Sequence, residues 1–312
     1  MKLAKPRDEI RAQSVEKAAV LLRSGAASAQ GPRRTMEDRH IAVDDGWLTS
    51  WRGKLCRLSG SETWPHSGFY GVFDGHAGVR AANIARGFLW NKIQPVLVER
   101  LRAGGSEELP PGELVAVVRR AFHATEEEVL SRAVAGRWVD GCTAITCLIH
   151  GHQLIVGNLG DSRAVLCRGT EADHKPGTPS EQARIVAAGG SVQYVFGVAR
   201  LNGGLSLSRA FGDLPYKHLP KRGESGPLSS VPDVTVHELS PRDRFLVLAC
   251  DGVFDLWTDQ DVVRLVGEGL RRSGDSPTAA ASHLARASLQ HRFCSDNVTV
   301  VVVMLDWHAS RA

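Results

Sequence analysis

Thr143-Ala144-Ile145-Thr146-Cys147-Leu148-Ile149, Gln153-Leu154-Ile155-Val156-Gly157-Asn158 and Arg163-Ala164-Val165-Leu166-Cys167 read as three short strands in close succession. β-branched and apolar residues dominate each run. The links between them, His150-Gly151-His152 and Gly160-Asp161-Ser162, are of hairpin length. A parallel crossover needs a dozen or more residues, so strands joined this tightly are antiparallel. The expectation is an α+β domain with mainly antiparallel sheets, not a doubly wound parallel one.

Upstream, Ile10, Val15, Ala18, Ala19 and Leu22 form an apolar stripe, and residues 1–25 predict an amphipathic helical extension that stops at Gly25. Residues 26–45 read as extended, interrupted at Gly31-Pro32. The polar, Gly-rich stretch 46–68, with Trp47, Trp51 and Trp64, reads as an insertion loop. A strand running to Asp74 follows, then helices over 79–102 and 112–134. Downstream, Ser180 is read as the cap of a helix ending at Gly189-Gly190. Pro215, Pro220, Pro227 and Pro232 mark 213–232 as a surface excursion. Thr258 with Asp261 resembles a capping box, Ser276-Pro277 opens a helix to about His291, and Val298–Leu305 is a final buried strand.

The chain has 312 residues, 43% hydrophobic and 23% charged, as in ordinary globular proteins. Its formal charge of +4, from 38 basic and 34 acidic residues without a long basic run, gives no sign of nucleic-acid binding. No apolar run approaches the ~20 residues of a membrane span, and the N-terminus lacks the apolar core of a secretory signal. The six cysteines show no CxxC spacing and read as buried reduced thiols. A soluble, monomeric protein of the cytoplasm or nucleus is expected, with no membrane or nucleic-acid partner.

Two apolar strands end on a carboxylate: Phe69-Tyr70-Gly71-Val72-Phe73-Asp74-Gly75-His76 and Phe245-Leu246-Val247-Leu248-Ala249-Cys250-Asp251-Gly252. Each delivers an acid to the rim of a sheet. Glu37-Asp38 and Asp296 supply more acids from distant positions. Carboxylates that converge in a poorly solvated pocket repel one another, and hard divalent cations relieve that repulsion. An all-oxygen Mg²⁺ or Mn²⁺ centre is therefore expected. Asp74 can reach two metals with its two oxygens, and Gly75 can add its carbonyl. His76 can give a proton to a leaving group. Glu37 can ligate, Asp38 can orient a water held by the metal, and Arg33 offers a fork for phosphate oxygens. Asp161 suits a hairpin turn, Asp296 a turn before the last strand, and Asp255 a cap.

The order of these motifs resembles the metal-dependent serine/threonine protein phosphatases of the PPM type, the protein phosphatase 2C class. Further matching blocks are Asp140-Gly141-Cys142-Thr143-Ala144, Gly160-Asp161-Ser162-Arg163, Asp173-His174-Lys175-Pro176, Leu201-Asn202-Gly203-Gly204, Ser208-Arg209-Ala210-Phe211-Gly212-Asp213 and Ser295-Asp296-Asn297. The resemblance implies a four-layer α-β-β-α fold, with a central β-sandwich of two antiparallel sheets flanked by helices. It implies one catalytic domain over 26–306, a flap region over about 190–232 and a short tail at 307–312. Two Mg²⁺ or Mn²⁺ ions per subunit are implied: Glu37, Asp74 and the Gly75 carbonyl hold one, and Asp74, Asp251 and Asp296 the other. Asp161 with Asp251 would bind a weaker third. Arg33 would bind substrate phosphate, His76 would be the general acid, and Arg200 would touch substrate from the flap. The implied activity is hydrolysis of phosphoserine and phosphothreonine in proteins by direct attack of a metal-bridging water. Cys142 departs from the family pattern, where Ser or Thr is expected. The rival class is a catalytically weak phosphatase-like scaffold or regulatory binding module, in which metal ligands are usually lost. A cysteine-dependent phosphatase is excluded, since no cysteine has an arginine six positions on.

Overall fold

Ala144–His150 and Gln153–Leu159 form the expected antiparallel hairpin in the computed structural model, paired from Ala144↔Leu159 to His150↔Gln153. The structure describes residues 19–44, 49–51, 54–56, 67–104, 109–167, 169–170, 174–195, 197–217 and 226–308. In chain order the elements are β1 (Ala19–Ala29), β2 (Arg39–Val43), β3 (Thr49–Trp51), β4 (Lys54–Cys56), β5 (Ser67–Phe73) and β6 (Gly75–His76). Then come α1 (Arg80–Gly104), α2 (Pro111–Gly136), β7 (Gly141–Cys142), β8 (Ala144–His150), β9 (Gln153–Leu159), β10 (Arg163–Leu166) and β11 (Gly169–Thr170). The remainder comprises α3 (Pro179–Ala187), β12 (Val192–Val195), β13 (Val198–Leu201), β14 (Phe211–Gly212), β15 (Asp233–Glu238), β16 (Phe245–Ala249), α4 (Asp251–Phe254), α5 (Asp259–Ser273), α6 (Pro277–Gln290) and β17 (Val298–His308).

Two five-stranded sheets, in the orders β1-β17-β16-β10-β11 and β15-β9-β8-β5-β2, stack face to face. All their pairings are antiparallel. Strand alternation sorts the side chains into layers. Tyr70, Val72, Ile145, Cys147, Leu246, Leu248, Val301 and Val303 fill the space between the sheets. Phe69, Phe73, Leu148 and Ile155 point the other way, into Leu89, Ile93, Val118 and Phe122 of α1 and α2. Val247, Val300, Val302 and Met304 pack outward against Val262 and Val266 of α5 and Leu284 of α6. Antiparallel sheets commonly leave one face wet. Here helices cover both outer faces, so these strands are continuous apolar runs. Truncating one such side chain to alanine costs about 2–5 kcal/mol.

Three sequence expectations need correction. Residues 19–25 are not helical: β1 pairs with β17 along its whole length, from Ala19↔His308 to Ala29↔Val298. A short run of Ala, Val and Leu satisfies either period, and the long partner strand decides. Gly25 is not a helix stop, since α6 packs so closely that a Cβ there would collide with the Thr278 backbone. The sheet core thus begins by residue 19, and 1–18 lie outside the described residues. Second, the 46–68 segment contains the β3–β4 hairpin and the first residues of β5; 45–48, 52–53 and 57–66 lie outside the description. Third, β10 is not the next strand of a meander. It leaves the sheet of β9 and pairs with β16 in the other sheet. Gly160, at φ 108°, makes this exit possible. A minor correction is that Thr178, not Ser180, precedes α3 as its N-cap. Thr258 and Ser276 cap α5 and α6 by accepting from the backbone N–H groups of Asp261 and Ala279.

The segment after α3 is clamped to the sandwich by buried charge. Glu181 accepts from Arg184 Nη2 at 2.9 Å and Arg209 Nη2 at 2.6 Å. Arg209 also reaches Asp233 at 2.6 Å, and Arg184 reaches the Ser208 carbonyl at 2.7 Å. Burial alone would raise the pKa of Glu181, but hydrogen bonds from Arg209 and Arg184 win and hold it at about 2. Its stabilising contribution is thus complete above about pH 4.5 and is lost as pH falls toward 2. Glu181→Gln should destabilise the fold by about 3 kcal/mol at pH 7, and the loss of stability below pH 4.5 should become shallower. Denaturant melts across that range check this; unchanged acid dependence would contradict it.

Candidate metal centre

The acids meet because strand ends from both sheets reach the same rim. Asp74 follows β5 directly, and Thr143 fixes it from both sides: the Thr143 N–H donates to the Asp74 carbonyl at 2.9 Å, and Thr143 Oγ1 accepts from the Asp74 N–H at 3.2 Å. Asp251 begins α4 just beyond β16. Asp161 sits at the corner where the chain crosses from β9 to β10. Asp38 precedes β2, whose Arg39↔Phe73 pairing carries it alongside Asp74.

Carboxylate oxygens of Asp74, Asp161 and Asp251 lie within 4.8 Å of one another, and so do oxygens of Asp38 and Asp74 with the Cys250 sulfur. Asp74 is common to both groups. Burial raises its pKa well above the usual carboxylate value, and Asp251 and Asp38 add to the rise. Burial, with Asp161 and Asp255, brings Asp251 up to about 7. Burial also raises Asp38, against the opposing pull of Thr299 and Cys250. Both Asp38 oxygens and Asp251 Oδ1 are buried without a hydrogen-bond partner. Converging oxygens, some lacking donors, fit a hard divalent cation. Cys250 does not alter that fit, since burial pushes its thiol well above its ordinary value and keeps it protonated.

Other candidates line or border a cleft of about 350 Å³ that includes Arg33, His76, Asp161, Asp251 and Asp296. Arg33 donates to the Ser295 carbonyl at 2.9 Å and pairs with the Asp296 carboxylate. Asp296 also accepts from the Asn297 N–H at 2.7 Å. Neither Asp296 nor Glu37 belongs to the two converging groups found among the described residues. Glu37 instead accepts from the Thr35 hydroxyl at 2.9 Å and the Gly78 N–H at 3.4 Å. Gly75 pairs with Cys142, and a side chain there would run into the Glu37 carbonyl at 2.6 Å. Arg200 lies on β13 and donates to the Gly204 carbonyl at 2.7 Å. Gly204 and Leu205, rather than Arg200, line the cleft on that side.

Two partners were not legible as such in the sequence. His76 Nε2 lies 2.7 Å from Asp213 Oδ2. Burial works against the imidazolium, but Asp213 outweighs it and the His76 pKa is raised. Lys175 Nζ stands 2.5 Å from Asp161 Oδ2. Burial again opposes the charge, and Asp161 overrides it to hold the ammonium above its ordinary pKa. Asp161 is therefore a buried acid with an ion partner, not the tip of a hairpin. Both motifs were visible, but pairing across 137 positions in the first case is a tertiary fact.

Comparison with known proteins agrees with this architecture. The profile of the family described as Protein phosphatase 2C matches residues 22–298. The chain is 36% identical over 292 residues to "Probable protein phosphatase 2C 22" of Arabidopsis thaliana, covering 91% of this chain and 68% of that protein. It is 36% identical over 295 residues to "Protein phosphatase 2C homolog 2" of Saccharomyces cerevisiae, covering 90% of this chain and 58% of the yeast protein. Among solved structures, the fold is similar to the "serine-threonine phosphatase 2C from Toxoplasma gondii", with a TM-score of 0.73 at 24% identity, covering 92% of this chain and 95% of that one.

A carboxyl with a raised pKa in the folded state binds its proton more tightly there than in the unfolded chain. The metal-free protein should therefore lose stability as pH rises from about 4 through about 7. Mn²⁺ should remove this loss by offsetting the repulsion, and Asp74→Asn should abolish most of the Mn²⁺-induced rise in Tm without lowering the metal-free Tm. Thermal melts with EDTA and with Mn²⁺ test this; equal Mn²⁺ shifts in both proteins would contradict it.

Proposed function

The chain belongs to the protein phosphatase 2C family, and on that premise we propose that it hydrolyses phosphoserine and phosphothreonine in proteins using divalent cations held around Asp74. It is an enzyme of the serine/threonine protein phosphatase class. The observation that carries the reading is the convergence of Asp74, Asp161 and Asp251 at the rim of an open cleft.

Glu37, Asp74 and the Gly75 carbonyl would hold one Mg²⁺ or Mn²⁺, and Asp74, Asp251 and Asp296 a second, with Asp161 serving a weaker third. When bound, such cations would supply positive charge to the phosphoryl oxygens and lower the pKa of a water so that it could serve as the nucleophile. The protein's own groups do the rest. Arg33 exchanges its Asp296 and Ser295 contacts for the substrate phosphate, two of whose oxygens match the planar guanidinium fork. Asp213 holds His76 at Nε2 and favours the charged ring, leaving Nδ1 to give its proton to the departing serine or threonine oxygen. Asp38 accepts a hydrogen bond from the attacking water and orients it. The side of the cleft formed by Leu205, Leu207 and Tyr216 excludes solvent from one flank of the substrate. The substrates are phosphoproteins, and the enzyme is taken to act as a monomer in the cytoplasm or nucleus. Among the described residues, no helix is long and apolar enough to cross a membrane.

Release of phosphate from a phosphothreonine peptide with and without Mn²⁺ tests the reading. The expected result is activity that EDTA abolishes and that Asp74→Asn reduces by roughly a thousandfold or more. Arg33→Ala should act mainly on KM. Asp213→Asn should move the basic limb of the kcat profile to lower pH by about one unit. A folded, Mn²⁺-loaded protein without phosphatase activity would instead support the scaffold reading.

A further inference from the structure

Lys175 is the feature that the family-level reading leaves without a role. Its ammonium is 2.5 Å from Asp161 Oδ2, and Asp161 is only 4% exposed. The same carboxylate converges with those of Asp74 and Asp251. A cation belonging to the chain itself is therefore paired with the acid assigned to the weaker metal.

The position of Lys175 is set by the backbone rather than by that ion pair. The His174 N–H donates to the Gly160 carbonyl at 3.1 Å, and the Gly160 N–H donates to His174 Nδ1 at 3.3 Å. His174 Nε2 then pairs with Asp233 at 2.9 Å. These bonds lock residues 160 and 174 side by side, so Lys175 starts beside Asp161 whatever else the acids hold. The Ser208 N–H donates to the His174 carbonyl at 3.3 Å, which joins this lock to the segment carrying Arg209. Only the lysine stem is free to move. Its side chain is 37% exposed, so the ammonium has water to swing into.

An ammonium and a divalent cation cannot share one carboxylate at contact distance without strong repulsion. We propose that Lys175 is a tethered competitor for the Asp161 cation site: it pairs with Asp161 when that site is empty and swings to solvent when a divalent ion enters. Lys175 thereby sets the metal concentration at which the third site fills, and leaves the two sites shared by Asp74 unaffected. This rests on the cation reading above.

Titration calorimetry with Mn²⁺ on the full chain, cross-checked by the electron paramagnetic resonance signal of free Mn²⁺, tests it. A neighbouring charge shifts a group's affinity for a cation as small as the proton by one to three log units. In Lys175→Met, the weak binding step should therefore tighten by about tenfold or more, with the tight steps unchanged. Lys175→Arg, which keeps the charge, should remain weak. Adding Asp161→Asn to Lys175→Met should remove the tightened step. If Lys175→Met does not fold, Lys175→Gln carries the same expectation. An unchanged weak step, equal tightening of every step, or a gain that survives Asp161→Asn would each overturn the proposal. Wild type that binds no Mn²⁺ at all would overturn the cation reading itself, and Lys175's role with it.

Discussion

Mutual repulsion among buried carboxylates is the constraint on which this molecule depends. At about 4 Å and an effective dielectric of about 20, each pair of ionised groups repels by about 4 kcal/mol. Asp74 faces Asp251, Asp38, Asp161 and Asp296, and its pKa is raised accordingly after burial has done the most. A flexible chain would relax by moving such groups apart. Here β5 and β16 are buried on both faces, in opposite sheets, and their ends have nowhere to go. The sandwich thus stores a cluster of acids, some without a hydrogen-bond donor, that fits divalent cations.

The same rim gathers the groups proposed above to act on an anionic substrate. Arg33 and His76 are basic residues set beside the acids, and each has an acidic partner, Asp296 and Asp213. Lys175 and Asp161 repeat the pattern. Around the cluster the fold thus sets basic side chains that carboxylates restrain through short ion pairs. The far side of the cleft is anchored separately, through Glu181, Arg184, Arg209 and Asp233. That network ties the segment to the sheet edge at β15 without using the acids of the cleft.

The antiparallel strands and the acids at strand ends were legible in the sequence because their signals are local, whereas the four-layer sandwich came only from the family resemblance. An apolar run ending in Asp-Gly marks Asp74 and Asp251 at strand ends, and tight links announce antiparallel strands. What was not legible depends on partners. Ala19–Gly25 carries no local feature that separates strand from helix, and only pairing with Val302–His308 decides it. Gly160-Asp161-Ser162 has the composition of a hairpin turn, yet the chain uses it to change sheets and to bury Asp161. The capping residues of α5 and α6 were readable, since a cap is satisfied within three residues. Asp213 and Lys175 were visible as members of motifs, but their ion pairs exist only once the sheets have closed.

The most direct measurement of the central claim is anomalous diffraction at the manganese edge from crystals grown with Mn²⁺. The account predicts peaks about 2.0–2.4 Å from the Asp74 carboxylate oxygens, with Asp251 oxygens completing the shell on one side. Well-ordered density for Asp74, Asp161 and Asp251 with no anomalous peak among them would contradict it.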